Sequence, residues 1–252
     1  MFPGHPQKII ATIEARMASS RLPGKVLSPL AGKPALERLT ERLKRSKYLD
    51  GIVVATTDKS GDDAIEALAK QLGVGCFRGS EDDVLGRVLG AAQSANADLI
   101  CEITGDCPLL DWRVVDRGIE EFFAAPLDYA ANCLSQSYPL GFETQVFPTK
   151  VLAEVDRLTQ DPVDRTHVSY YIYMHPEKYR VKNWVANPEA HAPEMRLTLD
   201  ETDDLTLIDQ VFSQLLPSKP DFSAEDVVAF LKQKPELLAI NEHVRQKNAQ
   251  EG

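Results

Sequence analysis

Short apolar runs alternate with helical patterns through the first half of the chain, and this alternation limits the possible folds more than any other feature. Lys8-Ile9-Ile10-Ala11-Thr12, Gly51 to Thr57, Val74 to Phe77 and Asp98 to Thr104 read as strands. Between them, Pro34 to about Ser46, Asp62 to Leu72 and Glu81 to Ala95 read as helices, with Leu36, Leu39 and Leu43, or Ile65, Leu68 and Ala69, at helical spacing. Strands this continuously apolar are covered on both faces, as in parallel sheets. Repeated strand and helix segments of these lengths predict an α/β domain with a mostly parallel sheet, right-handed crossovers and ligands at the carboxyl ends of the strands. That rim would gather the loop after the first strand, Arg78-Gly79-Ser80 and Gly105-Asp106.

The loop after the first strand is the most specific stretch. Ile13-Glu-Ala-Arg-Met-Ala-Ser-Ser-Arg-Leu-Pro-Gly-Lys25 places Arg16, Arg21 and Lys25 on a segment of small residues closed by Pro23-Gly24. Exposed backbone N–H groups and converging cations suit a polyphosphate, and a guanidinium grips phosphate through two hydrogen bonds at once. A solvated basic loop is the plain alternative for three cations in isolation. The second informative stretch is Ile103-Thr104-Gly105-Asp106-Cys107-Pro108-Leu109-Leu110. It holds a carboxylate on a tight turn after a buried strand, a good place for Mg²⁺, which takes one or two carboxylates together with phosphate oxygens. Gly-Asp is also a common turn. Arg78-Gly79-Ser80 ends the third strand, where Gly79 allows close backbone approach and Ser80 is placed to cap the next helix.

With 252 residues, 43% of them hydrophobic, the chain suffices for one α/β domain spanning 1–252 with an ordinary core. A formal net charge of -10 argues against a general nucleic-acid binder, which needs a basic face. No apolar run reaches the length of a membrane span, and the first seven residues lack a signal-peptide pattern, so a cytoplasmic protein is expected. Cys76, Cys101, Cys107 and Cys133 show no metal or redox spacing and should be reduced thiols. Cys107 adjoins Asp106, without a base partner beside it in sequence.

Further on, Asp111 to Phe123 reads as a helix and Asp128 to Asn132 as a strand. A polar and aromatic loop, Ser135 to Phe142, then leads to a strand-like Glu143 to Phe147, a pattern that marks approximately 133–190 as an inserted substrate or dimerisation element. Asp161 to Tyr170 opens as a helix with an aspartate cap and Pro162 in its first turn. Tyr179 to Val185 and Met195 to Leu199 read as the last strands, with Thr202 placed to cap an acidic helix start. The tail, approximately 212–252, reads as helical and polar.

Ala15-Arg16 followed by Ser19-Ser20-Arg21-Leu22-Pro23-Gly24-Lys25 resembles the signature of the CMP-sugar-acid synthetases, the cytidylyltransferases that include the CMP-KDO and CMP-sialate synthetases. The likeness covers about the first 210 residues and is nearest to the spore-coat polysaccharide biosynthesis protein F branch. It implies a Rossmann-like, three-layer nucleotide-binding domain of the nucleotide-diphospho-sugar transferase type. It also implies that Arg16, Arg21 and Lys25 hold the triphosphate of CTP, with Ser19 and Ser20 as hydrogen-bond donors and Arg78, Gly79 and Ser80 bordering the nucleotide. The family's Gly-Asp-x-Pro-Leu segment carries a magnesium aspartate that matches Asp106. Its strand ending in a second one resembles Arg196-Leu197-Thr198-Leu199-Asp200, which matches Asp200. Glu143, in a Gly-x-Glu segment, and Arg165 and His167, in Asp164-Arg165-Thr166-His167, are then candidates for contact with the acceptor sugar acid. Glu14 departs from the pattern, since relatives commonly carry Pro or Gln there.

The resemblance thus implies a Mg²⁺-dependent cytidylyltransferase, a homodimer, that uses Arg16, Lys25 and Asp106 to join CTP to a sugar acid of the 3-deoxy-2-ulosonic type. Rival readings are another nucleotidyl- or glycosyltransferase on a related sheet and a non-catalytic nucleotide-binding protein. A pyrophosphorylase would show a Gly-x-Gly-Thr-Arg loop, and many glycosyltransferases an Asp-x-Asp. This chain has Asp106-Cys107-Pro108 instead.

Overall fold

The first strand, β1 (Ile9–Glu14), lies inside a seven-stranded sheet in this computed structural model, which describes residues 7–246. On one side it pairs in parallel with β4 (Gly51–Thr57), which pairs in parallel with β5 (Gly75–Gly79). On the other side it pairs in parallel with β6 (Leu99–Thr104). Beyond β6 come β8 (Gln145–Pro148), β7 (Tyr129–Ala131) and β9 (Val181–Asn183), with β8 antiparallel to both β6 and β7. The mostly parallel sheet is as expected. Its order reverses at β1 and β6, the position where open α/β sheets hold their ligands.

Alternation along the strands explains the three layers. On β1, Ile9, Ala11 and Ile13 pack into one apolar cluster and Ile10 into another on the opposite face. The first cluster is closed by α1 (Ala35–Leu43), α2 (Asp63–Leu72), α4 (Trp112–Phe123), α8 (Thr202–Leu215) and α9 (Ala224–Lys232). The second is closed by α3 (Val84–Ser94), α5 (Thr149–Leu158) and α7 (Tyr170–Met174), the last through Ile172.

Several local expectations change. Lys33–Pro34 (β3) pairs with Pro29–Leu30 (β2), so α1 begins only at Ala35, and it ends at Leu43 rather than near Ser46. The third helix starts at Val84 because Asp83, not Ser80, caps it by accepting from the Gly86 N–H at 2.9 Å. Glu143 lies before β8 rather than in it. Asp161 caps α6 (Pro162–Thr166), but Val168 at φ 49 separates it from α7, so the stretch is two short helices. Met195 to Leu199 forms no strand; its one ladder contact is a bridge from Arg196 to Leu140. Glu201 rather than Thr202 caps α8, in a reciprocal box with Asp204. The tail is less polar in its packing than in its composition, because Phe222, Val227, Val228 and Leu231 are buried in the first cluster, and α10 (Pro235–Leu238) follows.

Candidate active site

The cation-bearing loop leaves the carboxyl end of β1 and is pinned at its start by a buried acid. Asp62 accepts from the Met17 N–H at 2.8 Å and from the Thr56 hydroxyl and Thr57 N–H, each at 3.0 Å. Gly24, at φ 73, donates to the Met17 carbonyl at 2.9 Å and starts a single helical turn, Lys25–Leu27. That left-handed position favours glycine. The loop therefore folds back, and Lys25 points across the rim of the sheet.

Two other segments meet it there. The turn after β6 packs directly on the end of β1: the Gly105 N–H donates to the Glu14 carbonyl at 2.8 Å, and a side chain on Gly105 would lie 2.5 Å from that same oxygen. Glycine at this point sets the direction of Asp106. The extended segment before α8 is tied to the same turn, since the Leu199 N–H donates to the Asp106 carbonyl at 2.7 Å. Asp106 and Asp200 thus meet although they are far apart in sequence. Lys25 Nζ lies between them, 2.8 Å from Asp106 Oδ2 and 2.8 Å from Asp200 Oδ1.

Arg21 Nη2 is 2.9 Å from Asp200 Oδ2, and Arg196 Nη2 is 2.8 Å from the same oxygen. Burial works against the charge of Lys25, yet Asp106 and Asp200 more than offset it and hold the ammonium above its ordinary value. Burial likewise opposes the charge of Asp200, and Lys25, Arg196 and Arg21 outweigh it, holding the carboxyl below its ordinary value. Arg21 Nη1 is buried without a hydrogen-bond acceptor among the described residues and lies 3.7 Å from Glu201.

These groups line a cleft of two joined compartments. One, of about 480 Å³, has Arg16, Ser19, Ser20, Arg21 and Lys25 on its wall with Arg87, Asp106 and Asp200. The other, of about 800 Å³, is bounded by Glu102, Cys107, Glu143, Gln145 and Tyr173; Glu14, Asp106, His167 and Asp200 face both. Arg16 reaches Glu81 at 3.2 Å and stays half-exposed. Glu143 accepts from the Gly141 N–H at 2.7 Å and from Gln136 at 3.2 Å, and burial raises its carboxyl. Cys107 is buried, which pushes its thiol well up and makes it a poor nucleophile. All four cysteines are free thiols.

Four expected contacts fall elsewhere. Arg78 turns away from the cleft to Asp63 at 2.7 Å and Glu66 at 2.8 Å, while neither Gly79 nor Ser80 lines either compartment. The Ser80 hydroxyl accepts from the Asp83 N–H at 3.3 Å instead. Arg165 is committed to structure, joining Asp83, by Nε at 2.8 Å, to Asp156, by Nη1 at 2.8 Å. It ties the start of α3 to α5. Arg165→Ala should cost about 2 kcal/mol, the scale of hydrogen bonds to charged groups, leaving the KM for nucleotide unchanged. Denaturant unfolding and steady-state kinetics check both.

Sequence reasoning gave no site role to Arg87, Glu102, Arg196 or Asp204. Arg87 is 4% exposed and donates to the Ala55 carbonyl at 3.2 Å. Arg196 also reaches the buried Asp204 at 3.0 Å, which accepts in turn from Asn241 at 2.8 Å. The spacing of Arg196, Asp200 and Asp204 by four was the available signal.

Glu14 carries a pH signature. Burial pushes its carboxyl up to about 7, with Arg87 opposing and Asp106 adding to the rise. A carboxyl that binds its proton more tightly when folded adds stability at low pH, and loses it as pH climbs from the unfolded value of 4.5 through about 7. Glu14→Gln should therefore melt above wild type by a margin that opens across that window and levels off beyond it, at about 1 kcal/mol or more. Melting temperature against pH for both proteins checks this.

Converging cations beside a pair of carboxylates, at the switch point of a mostly parallel sheet, suit the chemistry of a nucleotidyltransferase. The match to known proteins narrows the class. The family model described as Cytidylyltransferase matches residues 10–241, and the chain belongs to that family. It is 34% identical over 239 residues, 93% of this chain and 98% of the other, to spore coat polysaccharide biosynthesis protein SpsF of Bacillus subtilis. A 3-deoxy-manno-octulosonate cytidylyltransferase of Trichlorobacter lovleyi is 36% identical over 121 residues, covering 47% of this chain and 46% of its own length. A solved cytidylyltransferase from Leptospira borgpetersenii superposes with a TM-score of 0.87 at 31% identity, covering 96% of this chain and 99% of that one. Among the described residues no helix is long and apolar enough to cross a membrane.

Proposed function

We propose that this enzyme transfers CMP from CTP to a sugar acid of the 3-deoxy-2-ulosonic type, with Mg²⁺, forming a CMP-sugar for a surface polysaccharide or glycan. The observation that carries the reading is Lys25 Nζ seated between Asp106 and Asp200. A cation already lies between the two carboxylates, so the donor set fits a divalent ion. The need for few protein ligands agrees with Mg²⁺ that also takes phosphate oxygens. Asp106 and Asp200 would hold it, and when bound it supplies charge neutralisation at the α-phosphate and acidifies the acceptor hydroxyl.

The protein's own groups do the rest. Arg16, Arg21 and Lys25 bind the triphosphate and stabilise the charge that develops on pyrophosphate as it leaves. The wider compartment orients the acceptor, whose hydroxyl oxygen bonds to the α-phosphorus as the bond to the bridging pyrophosphate oxygen breaks. The hydroxyl proton leaves to solvent. Relatives named for octulosonate transfer and for spore-coat polysaccharide support the acceptor class.

Pyrophosphate release is the test. It should appear with CTP, not with ATP, GTP or UTP, and only when Mg²⁺ and one of a panel of 3-deoxy-2-ulosonic acids are both present. CTP binding without release from any sugar acid would sink the reading.

A further inference from the structure

The carboxyl-terminal tail carries no readable motif, yet the fold returns it to the rim of the cleft. After α9 and α10, Leu237, Leu238 and Ile240 pack against the first apolar cluster and so deliver Asn241 to the segment that ends in Asp200. Asn241 is only 3% exposed. Its Nδ2 donates to the Arg196 carbonyl at 3.0 Å and to Asp204 Oδ1 at 2.8 Å, which uses both amide hydrogens. Both partners are pure acceptors, and that settles which way the amide points.

Asp204 is the centre of this contact and is fully buried. Its Oδ2 accepts from the Asp200 N–H at 3.0 Å, the Glu201 N–H at 2.9 Å and Arg196 Nη2 at 3.1 Å, while Oδ1 accepts from Arg196 Nε at 3.0 Å. Asn241 therefore braces a carboxylate that grips the backbone of Asp200 and the guanidinium of Arg196 together. Arg196 in turn donates from Nη2 to Asp200 Oδ2 at 2.8 Å, and from Nη1 to Gln246 at 2.6 Å. Gln246 lies in the tail beyond Asn241 and lines both compartments of the cleft. With Oδ2 of Asp200 held by Arg196 and Arg21, Oδ1 is the oxygen turned toward Lys25 and Asp106. The direction of one of the two carboxylates that meet at Lys25 is thus set from behind.

We propose that Asn241 is a positioning residue for Asp200, acting through Asp204 and Arg196, so that the segment from Asn241 to Gln246 is part of the transferase site. This deepens the transfer reading and rests on its assignment of a divalent ion to Asp106 and Asp200. The apolar side chains before Asn241 already seat the tail on the domain. What the asparagine adds is a directed contact with a network that ends on a carboxylate of the site. An apolar residue in its place would leave Asp204 Oδ1 and the Arg196 carbonyl each short of a buried donor. Groups that orient an ion's ligands in this way govern its affinity without touching it.

The test uses the full chain without nucleotide or acceptor, with Mn²⁺ as the probe and its paramagnetic signal as the readout. Asn241→Ala should weaken Mn²⁺ binding by about 10-fold, the lower end of the range for groups that orient a metal's ligands. Arg196→Lys keeps the charge but loses the fork that joins Asp204 to Asp200, and should weaken it by about 10- to 100-fold. The double variant should bind Mn²⁺ no more weakly than Arg196→Lys alone, because the asparagine acts through the arginine. In turnover, kcat should fall in the same order, with the KM for CTP changing less. Arg165→Ala is the control for lost stability: it also removes a guanidinium that joins two carboxylates, but Arg165 lines neither compartment, and Mn²⁺ affinity should stay at the wild-type value. Unchanged Mn²⁺ affinity in Asn241→Ala, or a loss that adds in full to that of Arg196→Lys, overturns the positioning role. Should Asn241→Ala not fold, Gln246→Ala, at an exposed position, takes its place: about 2- to 5-fold weaker binding, the contribution of one hydrogen bond, supports the role and no change overturns it. Pyrophosphate release by the wild type would then leave cytidylyl transfer standing. Weaker Mn²⁺ binding in the tail variant without release from any sugar acid would uphold the positioning and sink the transfer.

Discussion

Lys25→Ala should lower kcat by about 10²- to 10³-fold, the loss seen when a preorganised electrostatic contact to developing charge is removed, while the protein still folds. The ammonium is 14% exposed and lies 2.8 Å from each of two carboxylates, so its charge is held where water screens poorly. Its removal leaves Asp106 without a cationic partner among the described residues, whereas Asp200 keeps Arg21 and Arg196. The backbone around the site does not depend on Lys25, since the loop is pinned through Met17 and Gly24. The melting temperature should therefore fall by only a few degrees in the absence of divalent ions, and by less with Mg²⁺ present. Steady-state rates with saturating CTP and thermal melts with and without EDTA read the two effects. Full activity in this variant would remove the loop from the reaction.

Asp106→Asn should be at least as severe, about 10³-fold in kcat/KM or roughly 4 kcal/mol of transition-state stabilisation. The carbonyl of residue 106 keeps its bond from the Leu199 N–H, and Gly105 keeps its contact with Glu14, so the turn retains its shape. What changes is charge. Asparagine still presents an oxygen but no longer a full negative charge, and Lys25 is left to Asp200 alone. Titration with Mn²⁺, followed by its paramagnetic signal, should show weaker ion binding in this variant. Unchanged ion affinity with a low rate would limit Asp106 to holding Lys25 in place.

The sheet was legible because its strands carry apolar side chains on both faces, and period is what a sequence displays most directly. Arg196 to Asp200 misled for the same reason. Leu197 and Leu199 alternate as in a strand and are fully buried, yet the segment runs between a loop and the sheet rim with one bridge to Leu140. The cations of the first loop were legible because three of them crowd a stretch of small residues closed by Pro23-Gly24. Arg78 and Arg165 look no different in sequence. Only the fold shows that Asp63 and Glu66 take one, and Asp83 and Asp156 the other. Glu102 gave no signal at all, since an acid within an apolar strand acquires meaning from the neighbour across the ladder, here the strand of Glu14.

The distance along the chain from Lys25 to Asp200, 175 residues, bears on how the enzyme is made. At about 5–20 residues per second, a ribosome exposes the second carboxylate roughly 10–35 s after the lysine. In that interval β1, β4, β5 and β6 can already pair, and Lys25 and Asp106 are present without Asp200. A chain released before Asp200 would carry the cation-bearing loop and Asp106 without the second carboxylate beside Lys25.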